Sequence, residues 1–355
     1  MSTRQHFDYI VIGLGLAGAA VALKLHQLGR KILVVDWPEG NTSSRIAAGI
    51  FNPVTGRKMT KTWLADQLFP SLEKHYSDAE GLTGRKFFHP KPIYRPFHSI
   101  EEQNEWMGKS SDPVYSPFIR DVKKGPSLDG VIDPLGGLLL DKCGFVDTNA
   151  YVDGVRNLLS RHQTYLGQMI EDSLLVSGES SVRYGEYEAD HVIICTGVHS
   201  TSWFKWLPIR PLKGETLQIQ SAVEPQWIVN RGAYLVPQMG SWRAGATYSY
   251  TDNNPGTTEE SLHELTAAIK ELIHLPFTVE SQQWGFRPTT PDRRPLVGRH
   301  PGYHRMWTLN GLGTKGVSLA PFFSGELISA IENGTPLNKL VDIERYKSLY
   351  WTSLT

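Results

Sequence analysis

Long apolar runs, cysteine pairs and net charge are all missing from this sequence, and each absence removes a class of protein. Lys plus Arg and Asp plus Glu both total 36 in 355 residues. There is therefore no net field to draw the chain to nucleic acid or an anionic membrane, although a local basic patch stays open. The two cysteines, Cys143 and Cys195, belong to no CxxC or Cys/His cluster. No disulfide framework and no metal site are expected, and both read as buried, reduced thiols of a cytosolic protein. No stretch approaches the ~20 apolar residues of a membrane span. The first apolar run, Tyr9 to Leu25, carries three glycines and reaches Lys24. Without a cleavage-site pattern it reads as strand, turn and helix rather than a signal peptide, so a cytoplasmic location is expected.

What is present points to an α/β fold, α+β overall. A chain of 355 residues exceeds what one hydrophobic core usually serves, and its 40% hydrophobic and 20% charged residues are those of an ordinary globular protein. Strand Asp8–Ile12, helix Leu16–Gln27 and strand Lys31–Asp36 form an opening βαβ unit. A loop over Arg45–Pro53 leads into a helix near Thr60–His75. From Phe87 to Asp141 the chain is rich in Pro and Gly, with a strand at Lys91–Phe97 and a helix at Ile100–Met107. Helix and strand texture returns at Asn149–Arg161, Gln163–Ile170 and His191–Cys195.

From Pro211 to Tyr250 the hydrophobic period is close to two, as in an antiparallel sheet. Thr257 and Glu260 can form a capping box for a helix over Thr258–His274. Its Leu262, Leu265, Ile269, Leu272 and Ile273 share one face. A strand near Met306–Leu309 precedes a glycine loop and a last helix from Gly316. The expected architecture is a Rossmann-type domain of residues 1–86, 145–208 and 285–355. It is interrupted by a second, mostly antiparallel β domain of residues 87–144 and 209–284.

The strongest local signal is Gly13-x-Gly15-x-x-Gly18 between a predicted strand and helix, followed by Asp36 at the end of the next strand. Gly13 permits the tight turn, Gly15 lets the backbone approach a pyrophosphate, and Gly18 lets helix pack on strand. Leu16 and Ala17 then open a helix whose positive end faces the phosphates. Asp36, followed by Trp37, can accept hydrogen bonds from the adenosine ribose and would repel a 2′-phosphate. The fingerprint alone does not choose between FAD and NAD.

The rest of the chain does choose. AAGIFNP (Ala47–Pro53), ADHVIICTGVHS (Ala189–Ser200), AYLVP (Ala233–Pro237), GATY (Gly245–Tyr248), GFRPTTPDRRPLVGRHP (Gly285–Pro301) and GLGTKGVSLAP (Gly311–Pro321) occur in the order of one family. They resemble the D-amino-acid oxidase superfamily, and within it the bacterial glycine oxidases. The resemblance implies non-covalently held FAD. It places Ser44, Arg45, Ala48 and Gly49 beside the diphosphate and isoalloxazine, Met169 at the adenine, and Thr196 and Gly197 beside the diphosphate. Gly311, Gly313, Thr314, Lys315, Gly316 and Val317 fall under the flavin's pyrimidine edge. Reduced flavin carries negative charge there, which suits a helix N-terminus. Lys315 reads equally as a solvated lysine at a helix start, Arg45 as a surface arginine, and Cys195 as a small core residue.

The family's chemistry implies oxidation of a carbon next to an amine nitrogen, with an imine then hydrolysed by water. Arg287 matches the family's carboxylate-binding arginine, and its rigid fork suits a bidentate pair; the alternative is an ion pair within the sheet. Tyr234 and Tyr248 fall on the substrate side, or are half-buried sheet aromatics. Tyr248 and Ile50 depart from the glycine oxidase pattern and leave the amine open, as does the electron acceptor, for which oxygen is one candidate.

RIAAGIFNPVTG (Arg45–Gly56) and GLGTKGVSLAPFFSGEL (Gly311–Leu327) also resemble the oxidoreductase domain of the bifunctional tRNA methylaminomethyl-2-thiouridine enzyme, which implies a wobble-uridine substrate. The basic run Arg57, Lys58 and Lys61 could meet phosphates, but reads more readily as a solvated helix start. A non-catalytic flavin-binding module is the third reading. An NAD-dependent dehydrogenase fails for want of a catalytic His or Lys context.

Overall fold

The structure is a computed structural model that describes residues 5–38, 41–56, 58–199, 201–221, 226–238 and 240–353. Arg57 and Ser200 lie outside the described residues. The first sheet is built on a parallel core. Strand His6–Ile12 lies between Ile32–Asp36, which in turn pairs with Tyr165–Gly167, and Tyr187–Ile194. The last of these splits its partners. Its first half pairs antiparallel with Val182–Tyr184, and its end pairs parallel with Met306–Asn310. Strand Ile32–Asp36 is buried at every residue, as a parallel strand covered on both faces should be.

Helix Leu16–Gln27 is rich in alanine and is buried over most of its circumference. Its small side chains let it pack closely between the sheet and the last long helix, Gly316–Asn333. The expected helix near Thr60–His75 begins later, at Ala65, and runs to Thr83. Thr60–Lys61 instead closes a short hairpin with Val54–Thr55. Met59 and Leu64 both sit in the left-handed region, at φ 46° and 56°, and interrupt any helix across them.

The second sheet runs in the order Phe277–Thr289, Arg210–Ser221, Ser241–Gly245, Ala233–Gln238, Ile228–Arg231, Ile93–Pro96, Gly137–Leu140 and Ile119–Lys123. Every pair is antiparallel except Ile228–Arg231 with Ile93–Pro96. Strand Phe277–Thr289 passes unbroken through residues 284 and 285, where the sequence suggested a boundary. It registers with Arg210–Ser221 along its whole length, with one bulge.

The helix over its face spans Glu259–Lys270 and is capped by Thr258, which accepts from Ser261 N at 3.2 Å. The cap is one residue beyond the expected Thr257. Glu215 decides this, because its carboxylate accepts from Thr258 N and Thr258 Oγ1, both at 3.0 Å. A buried tertiary contact thus outranks the local capping box.

Candidate active site

A cavity of about 840 Å³ lies between the two sheets, towards the upper end of ordinary ligand pockets. Its floor is the glycine turn. A Cβ on Gly13 would stand 2.7 Å from the Cys195 carbonyl oxygen, and one on Gly18 would stand 1.8 Å from that of Gly13. Bare backbone is therefore required at both. Gly18 does its work in the packing of helix on strand, whereas Gly13, Gly15, Leu16 and Ala17 line the cavity.

Two helix starts face this space. Leu16–Gln27 and Gly316–Asn333 each lack a cap from the N-cap side chain, and neither has an acidic residue in its first turn. Leu16 N donates to Ser44 Oγ at 3.0 Å, which brings the Ser43–Ile46 helical turn against the glycine loop. Two positive helix ends with no acidic residue in their own first turns suit an electron-rich dinucleotide. Gly313, Thr314, Gly316 and Val317 line the second end. The backbone is held there by Tyr76, whose hydroxyl donates to Val317 O at 3.0 Å.

Asp36, Trp37 and Met169 line a further part of the cavity. Asp36 also braces the turn, since its Oδ1 accepts from Leu14 N at 2.8 Å. Its Oδ2 is approached by the Tyr165 hydroxyl at 3.4 Å and by Arg156 at 3.6 Å. Thr196, Gly197, Ala48 and Gly49 line the walls.

Three expected positions lie elsewhere. Arg45 is not at the cavity: its guanidinium reaches Asp153 at 2.8 Å and the Asn149 side chain at 3.4 Å, so its charge is satisfied behind the loop. Lys315 points under the helix start, with Nζ 3.3 Å from Thr55 Oγ1 and 3.5 Å from Thr62 Oγ1. Burial, reinforced by Arg294, lowers its pKa. Gly311 turns the chain at φ 67° without lining the cavity. Asn310 beside it does line the cavity, accepting from Gly311 N and donating to Gly197 O at 3.0 Å.

The structure brings Arg287, Tyr234 and Tyr248 together at the end formed by the second sheet. Arg287 donates to Thr247 O at 3.2 Å, and its Cζ lies 4.8 Å from the Tyr248 ring centroid. No carboxylate pairs with it among the described residues. The acids on and near the neighbouring strand are engaged by Lys213, which lies 2.6 Å from Asp252 and 3.7 Å from Glu215. Tyr234 is half-buried, and burial pushes its pKa up to about 12 against the opposing effect of Arg287. Tyr248 is 64% exposed and stands at the mouth.

Sequence reasoning missed Trp284, Phe286, Gly214 and Thr216, which also line this end, and Arg243, which supports it. Phe286 lies in the motif already singled out and Trp284 just before it, but strand alternation puts both on the face opposite Arg287, so a period-two reading could not have found them. Arg243 carries no local signal.

The family profile described as FAD dependent oxidoreductase matches residues 8–331. The chain belongs to this family. The enzyme is 25% identical to the glycine oxidase of Pseudomonas aeruginosa over 344 residues, covering 88% of this chain and 91% of that one. It is 27% identical over 385 residues to the tRNA 5-methylaminomethyl-2-thiouridine biosynthesis bifunctional protein of Hahella chejuensis, covering 93% of this chain and 57% of that protein. Its fold superposes on the crystal structure of glycine oxidase from Geobacillus kaustophilus with a TM-score of 0.76 at 18% identity, over 97% and 98% of the two chains. The enzyme is thus an FAD-dependent oxidoreductase. Among the described residues no helix is long and apolar enough to cross a membrane, and no His, Cys, Asp and Glu cluster could hold a metal.

Proposed function

We propose that the enzyme oxidises the C–N bond of a small carboxylated amine, an amino acid or an N-substituted glycine. The observation that carries this reading is the unpaired Arg287 guanidinium facing the cavity. A half-buried fork without a carboxylate of its own is a ready site for one supplied by substrate. We assign the diphosphate of FAD to the start of helix Leu16–Gln27, its adenosine to Asp36, Trp37 and Met169, and its flavin to Ala48, Gly49 and the Gly313–Val317 turn. Gly15, Leu16, Ala17, Ser44, Thr196 and Gly197 complete the cofactor's walls. Neither Cys143 nor Cys195 lies on the last helix, and the reading takes the cofactor as held without a covalent bond.

When bound, FAD supplies the two-electron acceptor for the oxidation. The chain's own residues bind and orient. Arg287 holds the acid end, Tyr234 stays protonated and offers a neutral hydroxyl to the amine end, and Tyr248 covers the mouth. The cavity's aspartates, Asp36 and Asp172, are engaged by Leu14 N and Ser202 N. An amine that binds neutral needs no general base, and water hydrolyses the imine product.

The tRNA reading is the alternative, supported by the Hahella relative. Against it, Lys61 of the basic run is neutralised by Asp66 at 2.7 Å. Anaerobic mixing with a panel of amino acids, N-alkyl glycines and modified tRNA separates the two. Bleaching of the flavin by a free carboxylated amine supports the first reading; bleaching by tRNA alone, with steep salt dependence, replaces it with the second.

A further inference from the structure

We propose that Gly214 is a positioning residue for substrate selection: its bare backbone is the seat on which the Arg287 guanidinium lies. The inference rests on the reading that Arg287 binds the substrate's carboxylate.

In the ladder between Arg210–Ser221 and Phe277–Thr289, Gly214 is opposite Gly285 and Leu212 is opposite Arg287. Residues two apart share a face of a sheet, so Gly214 and Arg287 are diagonal neighbours on one face. The arginine uses that space. A Cβ on Gly214 would stand 2.0 Å from Nη1, 2.2 Å from Nη2 and 2.3 Å from Cζ of Arg287. The Tyr248 ring lies against the guanidinium, and Thr247 O takes one N–H. Backbone, ring and carbonyl together confine the fork's plane and leave its remaining N–H groups for a ligand.

The glycine is not needed for its backbone. Gly214 is absent from the positive-φ positions, so its strand conformation is open to any residue. Its value lies in the missing side chain. Gly245 of the adjacent strand does the same for the second substrate-side group, since a Cβ there would stand 2.7 Å from the Tyr234 hydroxyl oxygen. Two glycines thus let Arg287 and Tyr234 lie flat along the sheet.

What a methyl group at 214 would strike is the far end of a flexible side chain, not backbone. The sheet can accept alanine there while the guanidinium has to leave its place. Fold and acid recognition therefore separate at this residue.

The test uses holoenzyme and the carboxylated amine that bleaches the flavin fastest in the panel above, with the matching amine that lacks the carboxylate. Gly214→Ala should lower the acid-to-amine ratio of reductive efficiencies by about tenfold, the loss expected when a charge-assisted pair is misaligned rather than removed. FAD content and melting temperature should stay at wild-type values. In an Arg287→Met background, Gly214→Ala should cost nothing more. A crystal structure of Gly214→Ala should show the guanidinium displaced.

Loss of the ratio in Arg287→Met but not in Gly214→Ala would overturn the seat and leave the carboxylate reading standing. An unchanged ratio in Arg287→Met, or no bleaching by any carboxylated amine, would sink that reading and the seat with it. An equal cost of Gly214→Ala in both backgrounds, or failure of the variant to fold, would show that the methyl acts on the strand itself.

Discussion

Arg243 donates to the Ala47 carbonyl at 2.9 Å and reaches that of Ile46 at 3.4 Å. The arginine stands in the second sheet and the carbonyls belong to the loop lining the cavity, so one buried cation fixes their separation. Burial lowers its pKa, and its Nε is buried without a partner. Arg243→Met should cost about 1.5–3 kcal/mol, the worth of hydrogen bonds from a charged donor. Thermal unfolding and flavin retention on gel filtration should both fall. An unchanged flavin content would detach this contact from the cofactor wall.

Asp36 serves the glycine turn and the cavity at once, and two substitutions separate these roles. Asn can still accept from Leu14 N, whereas Ala leaves that buried N–H unpaired at a cost of about 1–3 kcal/mol. Reconstitution of apoprotein with FAD should weaken in the order wild type, Asp36→Asn, Asp36→Ala. Equal weakening in the two variants would mean that charge alone matters.

Both cysteines should be inert in the native protein. Cys143 and Cys195 are buried, and burial pushes each thiol up to about 12. Since the thiolate is the nucleophile, neither should react with a thiol reagent at pH 8 until the chain is unfolded. Fast labelling of Cys195 in holoenzyme would contradict its place beneath the glycine turn.

Acid should destabilise the fold through two histidines. Burial lowers His75 and His300 from the usual 6.5 to about 4. His300 is fixed as a neutral ring, accepting from Gly302 N and Tyr303 N at Nδ1, both at 3.1 Å, while Nε2 meets Trp203 O at 3.0 Å. Between about pH 6.5 and pH 4 the unfolded chain binds more protons than the folded one. Stability is therefore full above pH 6.5 and falls as pH drops through that window. The slope should approach ~1.4 kcal/mol per pH unit for each histidine. Urea unfolding across this range checks it, and His300→Gln should remove one proton's share of the slope.

Much of the cofactor side was legible in the sequence because it is local. The turn from Gly13 to Gly18 and the helix starts at Leu16 and Gly316 follow from short spacings. The corrected positions share a different cause. The family resemblance places Arg45 and Lys315 at the cofactor, but a long side chain goes where its charge is met: towards Asp153 in one case, towards two threonine hydroxyls in the other. Thr258 displaced Thr257 as cap because Glu215, distant in sequence, holds it. Arg243 and Gly214 were invisible for the same reason, since each matters through a strand-to-loop or strand-to-strand contact.

The strand that carries Arg287 ends at Thr289, and its penultimate residue, Pro288, accepts from Gly313 N at 2.9 Å. The strand of Arg287, the proposed anchor for the acid end, and the turn beneath the last helix are therefore tied through main-chain atoms. Sliding one against the other would break that bond or the ladder behind it. In terms of how such a catalyst can change, the spacing from anchor to reaction centre is inherited with the backbone. New substrates must be won by altering what projects around that fixed interval, at Ile50, Tyr248, Trp284 and Phe286, rather than by moving its ends.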